Sequence, residues 1–229
     1  MRVCAAPPFA PEAPRADDPR WRAHDLLRLA RLTPVEGEPD WVRTAFARAP
    51  FAVVRRAQAA PGFVAAGVRG ATRAERFGTW VDVEDIESSI SPEVLLAAAP
   101  SPARATFAAF VALAALRETP GPLHDFVWGP TGSAGFELAT QAPTLTESSD
   151  LDVLIRMPQR SDAATIHALA AALAHAAQRA GTRVDAQVET PAGGVALAEL
   201  AQLAPGKKSR VLARASDGAR LVADPWQPS

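Results

Sequence analysis

Asp150 and Asp152 stand one residue apart at the head of an apolar run, Asp150-Leu151-Asp152-Val153-Leu154-Ile155, whose composition predicts a strand. Residues two apart on a strand share a face, so the two carboxylates lie side by side. Adjacent carboxylates repel unless a cation sits between them, and hard oxygen ligands of this kind suit Mg²⁺. Upstream, Gly132-Ser133 leads into Ala134-Gly135-Phe136-Glu137-Leu138-Ala139, which reads as the first turns of a helix. Such a start offers free backbone N–H groups and a hydroxyl to a phosphate. Metal-binding carboxylates beside a phosphate cradle are the equipment of phosphoryl or nucleotidyl transfer. The plain alternative is a solvated strand end, with Gly132 a turn residue after Pro130 and Ser133 a helix cap.

Other residues could add to this chemistry. Phe51-Val54 and Phe63-Val68 read as strands around a Pro61-Gly62 turn, and each runs into arginine: Arg55-Arg56 after the first, Arg69 and then Arg73 after the second. Guanidinium groups converging from strand ends would suit a polyphosphate; otherwise they form a solvated basic rim. Lys207 and Lys208 are the only lysines in the sequence and are candidates for a diphosphate or CoA contact, or for a solvated turn. His24-Asp25 could be an acid–base pair, but with no nucleophile nearby a capping or surface pair is favoured. His167 and His175 are assigned no role.

The elements that would position these groups follow from punctuation and period. Residues 1–20 carry five prolines and little to bury, which predicts a disordered lead-in. Residues 21–90 then hold a short strand or helix turn around Leu26-Leu29, a helix at Trp41-Ala49, the two arginine-ended strands and a strand near Trp80. Glu84-Asp85-Ile86-Glu87 reads as a solvated face near a boundary. From residue 91 the pattern becomes helical, with Phe107, Phe110, Val111 and Ala114 at core spacing. Thr119-Pro120-Gly121-Pro122 ends that element, and Phe126-Val127-Trp128 reads as the strand before the Gly-Ser turn. A Ser161-capped helix with Ile166, Leu169, Leu173 and Ala177 on one stripe closes at Gly181. The next strand, Arg183 to Glu189, alternates so that Asp185, Gln187 and Glu189 share a face. The expected class is α/β or α+β: a small N-terminal α+β domain, then a mixed sheet flanked by helices over 91–229.

Composition narrows the class. The chain has 229 residues, 48% of them hydrophobic, and a net charge of −1, which speaks against a nucleic-acid binder with a broad basic face. Its one cysteine, Cys4, excludes a disulfide framework and a zinc cluster. No apolar run reaches membrane-spanning length and the N-terminus lacks a signal-peptide core, so a cytoplasmic protein is expected.

The order Gly-Ser, helix, Asp-x-Asp on a strand resembles the nucleotidyltransferase superfamily, although sixteen residues between Ser133 and Asp150 exceed its usual spacer. A nearer resemblance has such a spacer. WGPTGSAGFELAT, SSDLDVLIR and VDAQVETPAGGVAL are similar to the phosphoribosyl-dephospho-CoA transferase of malonate decarboxylase, also described as its holo-acyl-carrier-protein synthase. RAHDLLRL at 22–29, PFAVVRRA at 50–57, VAAGVRGATRAER at 64–76 and RLVADPW at 220–226 extend the similarity over nearly the whole chain.

The resemblance implies an Mg²⁺-dependent transferase with a nucleotidyltransferase-like catalytic domain. It would move a phosphoribosyl-dephospho-CoA group from 2'-(5''-triphosphoribosyl)-3'-dephospho-CoA to a serine of the malonate decarboxylase acyl-carrier subunit, releasing diphosphate. Asp150 and Asp152 would hold the metal, Gly132 and Ser133 would orient the polyphosphate, and Arg56, Arg69, Arg73, Lys207 and Lys208 would bind the donor. The superfamily pattern asks for a third carboxylate on a neighbouring strand, and the 183–189 strand offers Asp185 and Glu189. Asp185 is preferred, because Glu189 precedes Thr190-Pro191 where the strand is ending, and because aspartate is the stiffer ligand. Two other readings remain: a generic Mg²⁺-dependent nucleotidyltransferase using ATP or CTP, and a non-catalytic carrier-protein-binding module.

Overall fold

The computed structural model of the protein describes residues 3–203 and 209–227. The chain divides into two compact units, Met1–Ser91 and Pro92–Ser229.

The first unit is a sheet of β1 (Val3–Cys4), β2 (Leu26–Leu29), β3 (Phe51–Val54), β4 (Phe63–Arg69), β5 (Arg76–Asp82) and β6 (Ile86–Ile90), with α1 (Trp41–Arg48) between β2 and β3. Strand order is β1-β5-β4-β3-β2-β6, antiparallel except where β1 joins β5. The core gathers Leu27, Leu29, Val42, Ala52, Val54, Val64, Ala66, Val68, Phe77 and Val81. Apolar residues at alternate positions of β5 and on one side of α1 are what let these elements close on each other.

Two expectations change in this unit. The segment read as a disordered lead-in lies against the sheet: Ala16 bridges to Ala59, the Trp80 indole donates to Ala5 O at 3.3 Å, and the Phe9 ring meets Phe63 and Trp80. Its prolines exclude helix, but they leave scattered apolar side chains free to dock. The acidic run is not a plain solvated face either. Asp82 Oδ1 accepts from Glu84 N to cap a 3₁₀ turn over Val83–Asp85, Asp85 is buried and paired to Arg31 at 3.0 Å, and β6 follows at once beside β2.

The second unit contains α2 (Ala108–Glu118), β7 (Val127–Pro130), α3 (Gly132–Thr140), β8 (Leu151–Arg156), α4 (Ala163–Ala180), β9 (Val184–Thr190), β10 (Gly193–Ala196), α5 (Leu197–Leu200), β11 (Val211–Ala215) and β12 (Gly218–Val222). Among the described residues its sheet runs β12-β11-β10-β9-β8-β7, and β8–β9 is the parallel pair in an otherwise antiparallel array. A crossover through α4 explains that pair, since a long helical connection returns the chain in the same direction. Ile166, Leu169, Leu173 and Ala176 form the buried stripe of α4. Its cap is Asp162 rather than the expected Ser161. The Asp162 carboxylate accepts from Thr165 N at 2.7 Å, a bond that holds its pKa below the ordinary aspartate value. Gly181 ends the helix in the left-handed region at φ 68°. With one α-helix among the described residues of the first unit and helices packed on a mixed sheet in the second, the class is α+β.

Candidate active site

The site is assembled where β7, α3, β8 and β9 meet. β7 buries Trp128, Gly129 and Pro130 and pairs with β8, Gly129 opposite Leu154 and Pro130 opposite Val153. Thr131 N donates to Asp152 O at 2.8 Å, which fixes the start of α3 to the strand that carries the aspartates. Gly132, the first residue of α3, adopts φ 59°, a conformation that glycine takes without steric cost. A Cβ there would overlap Asp152 Oδ2 and meet Asp152 Cγ at 2.9 Å and Cβ at 3.0 Å. The Asp152 carboxylate therefore sits against the first turn of α3, where the helix N-terminus favours negative charge. Gly132 and Asp152, paired in the sequence by motif alone, are in contact in space. Ser133 is half-buried on the same first turn.

Asp152 stands directly opposite Asp185 in the β8–β9 ladder. Because the strands are parallel and in register, paired residues point to the same face. Asp150 lies just before β8, one step short of the strand expected to contain it, and Leu151 N donates to Arg183 O at 2.9 Å at that point. One nitrogen of Arg183, Nη2, lies 2.6 Å from Asp150 Oδ2 and 2.9 Å from Asp185 Oδ2. The guanidinium thus straddles two of the three aspartates.

Glu189, the other acid of that face, pairs with Arg156, four positions farther along the ladder than Asp185. Arg156 is itself engaged with Glu93 at 3.1 Å. Solvent is nearer to Asp185, which is exposed, than to Glu189, which is half-buried, because β10 continues the sheet at the Glu189 end. The register, not exposure, distinguishes the two acids.

The spacer of sixteen residues between Ser133 and Asp150 is tied down by a residue the motif did not single out. Glu137, buried in the middle of α3, accepts from Thr144 N at 2.7 Å and Leu145 N at 2.8 Å and pairs with the Arg104 guanidinium. Arg104 also donates to Leu145 O at 2.7 Å and lies over the Phe107 ring. Burial alone would push the Glu137 pKa up, but the Arg104 hydrogen bond and the two backbone amides outweigh it, so the carboxyl is held below the usual glutamate range. The signal available in the sequence was a carboxylate within an otherwise apolar helix. Arg183 shares strand parity with Asp185, but its meeting with Asp150 depends on how the strands pair.

Arg56, Arg69 and Arg73 all belong to the first unit. Arg56 lies 3.3 Å from His24 Nε2, Arg69 is buried in β4, and Arg73 is exposed in the turn before β5. Asp25 is buried and accepts from Arg22 N at 3.0 Å, a turn-capping role. Lys207 and Lys208 lie outside the described residues.

Among the described residues no three His, Cys, Asp or Glu side chains are gathered as a metal-holding group. Mg²⁺ does not need one, since it commonly takes one or two carboxylates and completes its shell with water and substrate phosphate. A guanidinium placed between Asp150 and Asp185 stands in for a cation, while Asp152 lies opposite Asp185 in the ladder and against the Gly132 turn. Asp150 and Asp185 thus share one cationic group between carboxylate oxygens, the kind of donor an oxygen-ligated ion takes. Among the described residues no helix is long and apolar enough to cross a membrane.

Two family descriptions and several named relatives match the chain. The phosphoribosyl-dephospho-CoA transferase MdcG N-terminal domain matches residues 22–92, and the C-terminal domain of the same enzyme matches residues 95–225. A Pseudomonas fluorescens protein named phosphoribosyl-dephospho-CoA transferase is 37% identical over 209 residues, covering 91% of this chain and 95% of its own. Its namesake in Pseudomonas putida is 40% identical over 208 residues, covering 89% and 94%. One from Klebsiella pneumoniae is 38% identical over 214 residues, covering 90% and 96%. No solved structure matches. With both domain descriptions matched in order and relatives aligned along nine-tenths of its length, the chain belongs to the phosphoribosyl-dephospho-CoA transferase family.

Proposed function

We propose that this protein transfers a phosphoribosyl-dephospho-CoA group from 2'-(5''-triphosphoribosyl)-3'-dephospho-CoA to a serine of the malonate decarboxylase acyl-carrier subunit, with loss of diphosphate. The observation that carries the reading is the contact of Asp152 with the Gly132 turn, directly across the ladder from Asp185. It combines a phosphate-orienting helix start with acidic ligands, in a chain whose relatives bear the name of this activity.

In the proposed reaction the serine oxygen forms a bond to the phosphorus nearest the ribose, and the bond from that phosphorus to the diphosphate oxygen breaks. Bound Mg²⁺ would supply neutralisation of the polyphosphate and of the departing oxygen. Asp152 and Asp150 would hold it. Gly132 N–H and Ser133 Oγ would orient the phosphates, since positioning and electrostatics are most of what phosphoryl transfer requires. Asp185 would either hold a second ion or accept the serine proton. Arg56, Arg69, Arg73, Lys207 and Lys208 are the proposed donor contacts beyond this centre.

The test is incubation of the purified protein with donor, carrier subunit and Mg²⁺, read by intact mass of the carrier and by diphosphate release. A mass gain equal to the prosthetic group on one serine, lost in Asp152→Asn, supports the reading. A carrier of unchanged mass in the presence of wild-type protein overturns it.

A further inference from the structure

We propose that Arg183 is the resident counter-cation of the carboxylate site, displaced when a divalent ion enters and then turned to grip the donor's phosphates. The inference rests on the metal-assisted reading above.

One Arg183 nitrogen lies 2.6 Å from Asp150 Oδ2 and 2.9 Å from Asp185 Oδ2, bridging the lead-in to β8 with β9. That nitrogen holds a position between two carboxylate oxygens, which is where an oxygen-ligated cation would bind. A guanidinium cannot lose its proton to make room for a second cation, so the two positive charges exclude each other. Its side chain is 61% exposed, so swinging outward sacrifices little burial. The main chain need not follow, because Arg183 O remains the acceptor of Leu151 N at 2.9 Å. Once released, the guanidinium is beside the centre that would hold the polyphosphate, and its planar fork matches phosphate oxygens bidentately. Arg183 thus keeps the acidic cluster neutralised before substrate arrives and binds substrate afterwards.

The experiment measures Mn²⁺ binding to the full-length protein without donor, by electron paramagnetic resonance of the free ion with Mg²⁺ as competitor. Mn²⁺ serves because it shares the oxygen-ligand preference of Mg²⁺. Wild type is compared with Arg183→Gln and Arg183→Lys, with circular dichroism to verify folding. Arg183→Gln should bind Mn²⁺ about thirtyfold more tightly, the factor a unit charge and a doubly charged ion about 4 Å apart contribute in water. Arg183→Lys should stay near wild type. In steady state, Arg183→Gln should also raise donor KM more than it lowers kcat. Unchanged or weaker Mn²⁺ binding by folded Arg183→Gln, with wild type binding normally, overturns the displacement alone. If neither wild type nor variant takes up Mn²⁺, the metal-assisted reading fails and this inference falls with it.

Discussion

Replacing Gly132 by alanine separates two effects that the structure superimposes at one residue. The backbone there has φ 59°, and holding an L-residue in the left-handed region costs about 1–2 kcal/mol. The new methyl would also overlap Asp152 Oδ2. Rotation of the carboxylate cannot fully relieve this, because Asp152 Cβ itself would lie at 3.0 Å, so the strand side chain or the helix start must shift. Gly181 supplies the control: its φ of 68° is similar, but nothing lies within 4 Å of an added Cβ. Gly181→Ala should therefore show the backbone cost alone, a fall in Tm of about 2–8 °C for a chain of this size. Gly132→Ala should show at least that fall, and in addition a displacement of Asp152. A misplacement of about 1 Å at a reacting centre is worth roughly a hundredfold in rate. The assay is donor-dependent carrier modification with thermal unfolding in parallel. Equal activity of the two folded variants would refute the placement of the Gly132–Asp152 contact at the reacting centre.

Further outcomes follow from the same geometry. Asp152→Asn should lower turnover about a hundredfold or more while circular dichroism stays unchanged; near wild-type turnover across an Mg²⁺ titration would remove the metal role. Asp185→Asn should cost far more activity than Glu189→Gln, because only Asp185 lies opposite Asp152; the reverse order would transfer the role. Glu137→Ala should destabilise by about 3 kcal/mol, the low end for a broken buried pair because Arg104 is one-fifth exposed, measured by urea unfolding at neutral pH. Since the folded Glu137 pKa is depressed, its contribution is present above the unfolded value of about 4.3 and is lost as pH falls through the folded value, so Glu137→Gln should flatten the acid limb of the stability profile; an unchanged limb would contradict this. Arg73→Ala, in an exposed turn, should raise donor KM with kcat little changed, whereas the buried Arg69 would report packing as much as binding; unchanged donor affinity by calorimetry makes Arg73 a solvated rim.

Much of the scaffold was legible because it rests on local signals. The Pro61-Gly62 turn sits between β3 and β4, Gly181 closes α4, and the apolar run after Asp150 became β8. Local signals failed where the deciding contact is distant in sequence. Phe9 looked unsupported among prolines until Phe63 and Trp80 met it, and Asp85 looked solvated until Arg31 and β6 enclosed it. Ser161 and Asp162 both satisfied the capping preference, and only geometry chose the second. At the site, the motif singled out Gly132, Ser133, Asp150 and Asp152, and the structure brings Gly132 and Asp152 into contact. Arg183 escaped notice because its role depends on strand pairing, which no single segment specifies.

That pairing is enforced by the opposite face of the same strands. Leu151, Val153 and Ile155 of β8 and Val188 of β9 are buried on one side of the ladder, while Asp152 and Asp185 stand on the other. A slip of one residue would exchange the faces, sending aspartates inward and leucine and isoleucine outward. Burying an unpaired carboxylate and exposing several aliphatic side chains are each costly, so the apolar residues dictate where the charged ones align. Leu154, on the same side as Asp152, is already buried and separates the Asp152–Asp185 pair from Arg156 and Glu189 farther along the ladder. The α4 crossover makes the strands parallel, and parallel strands bring their first residues together. Arg183 with Asp150, and Asp152 with Asp185, are consequences of that one arrangement. The segment after Thr140 then has to deliver Asp150 to the start of β8 from the end of α3, and Glu137 anchors its path at Thr144 and Leu145. The acidic centre is thus located by hydrophobic burial and one buried ion pair, with its charged residues following rather than setting the fold.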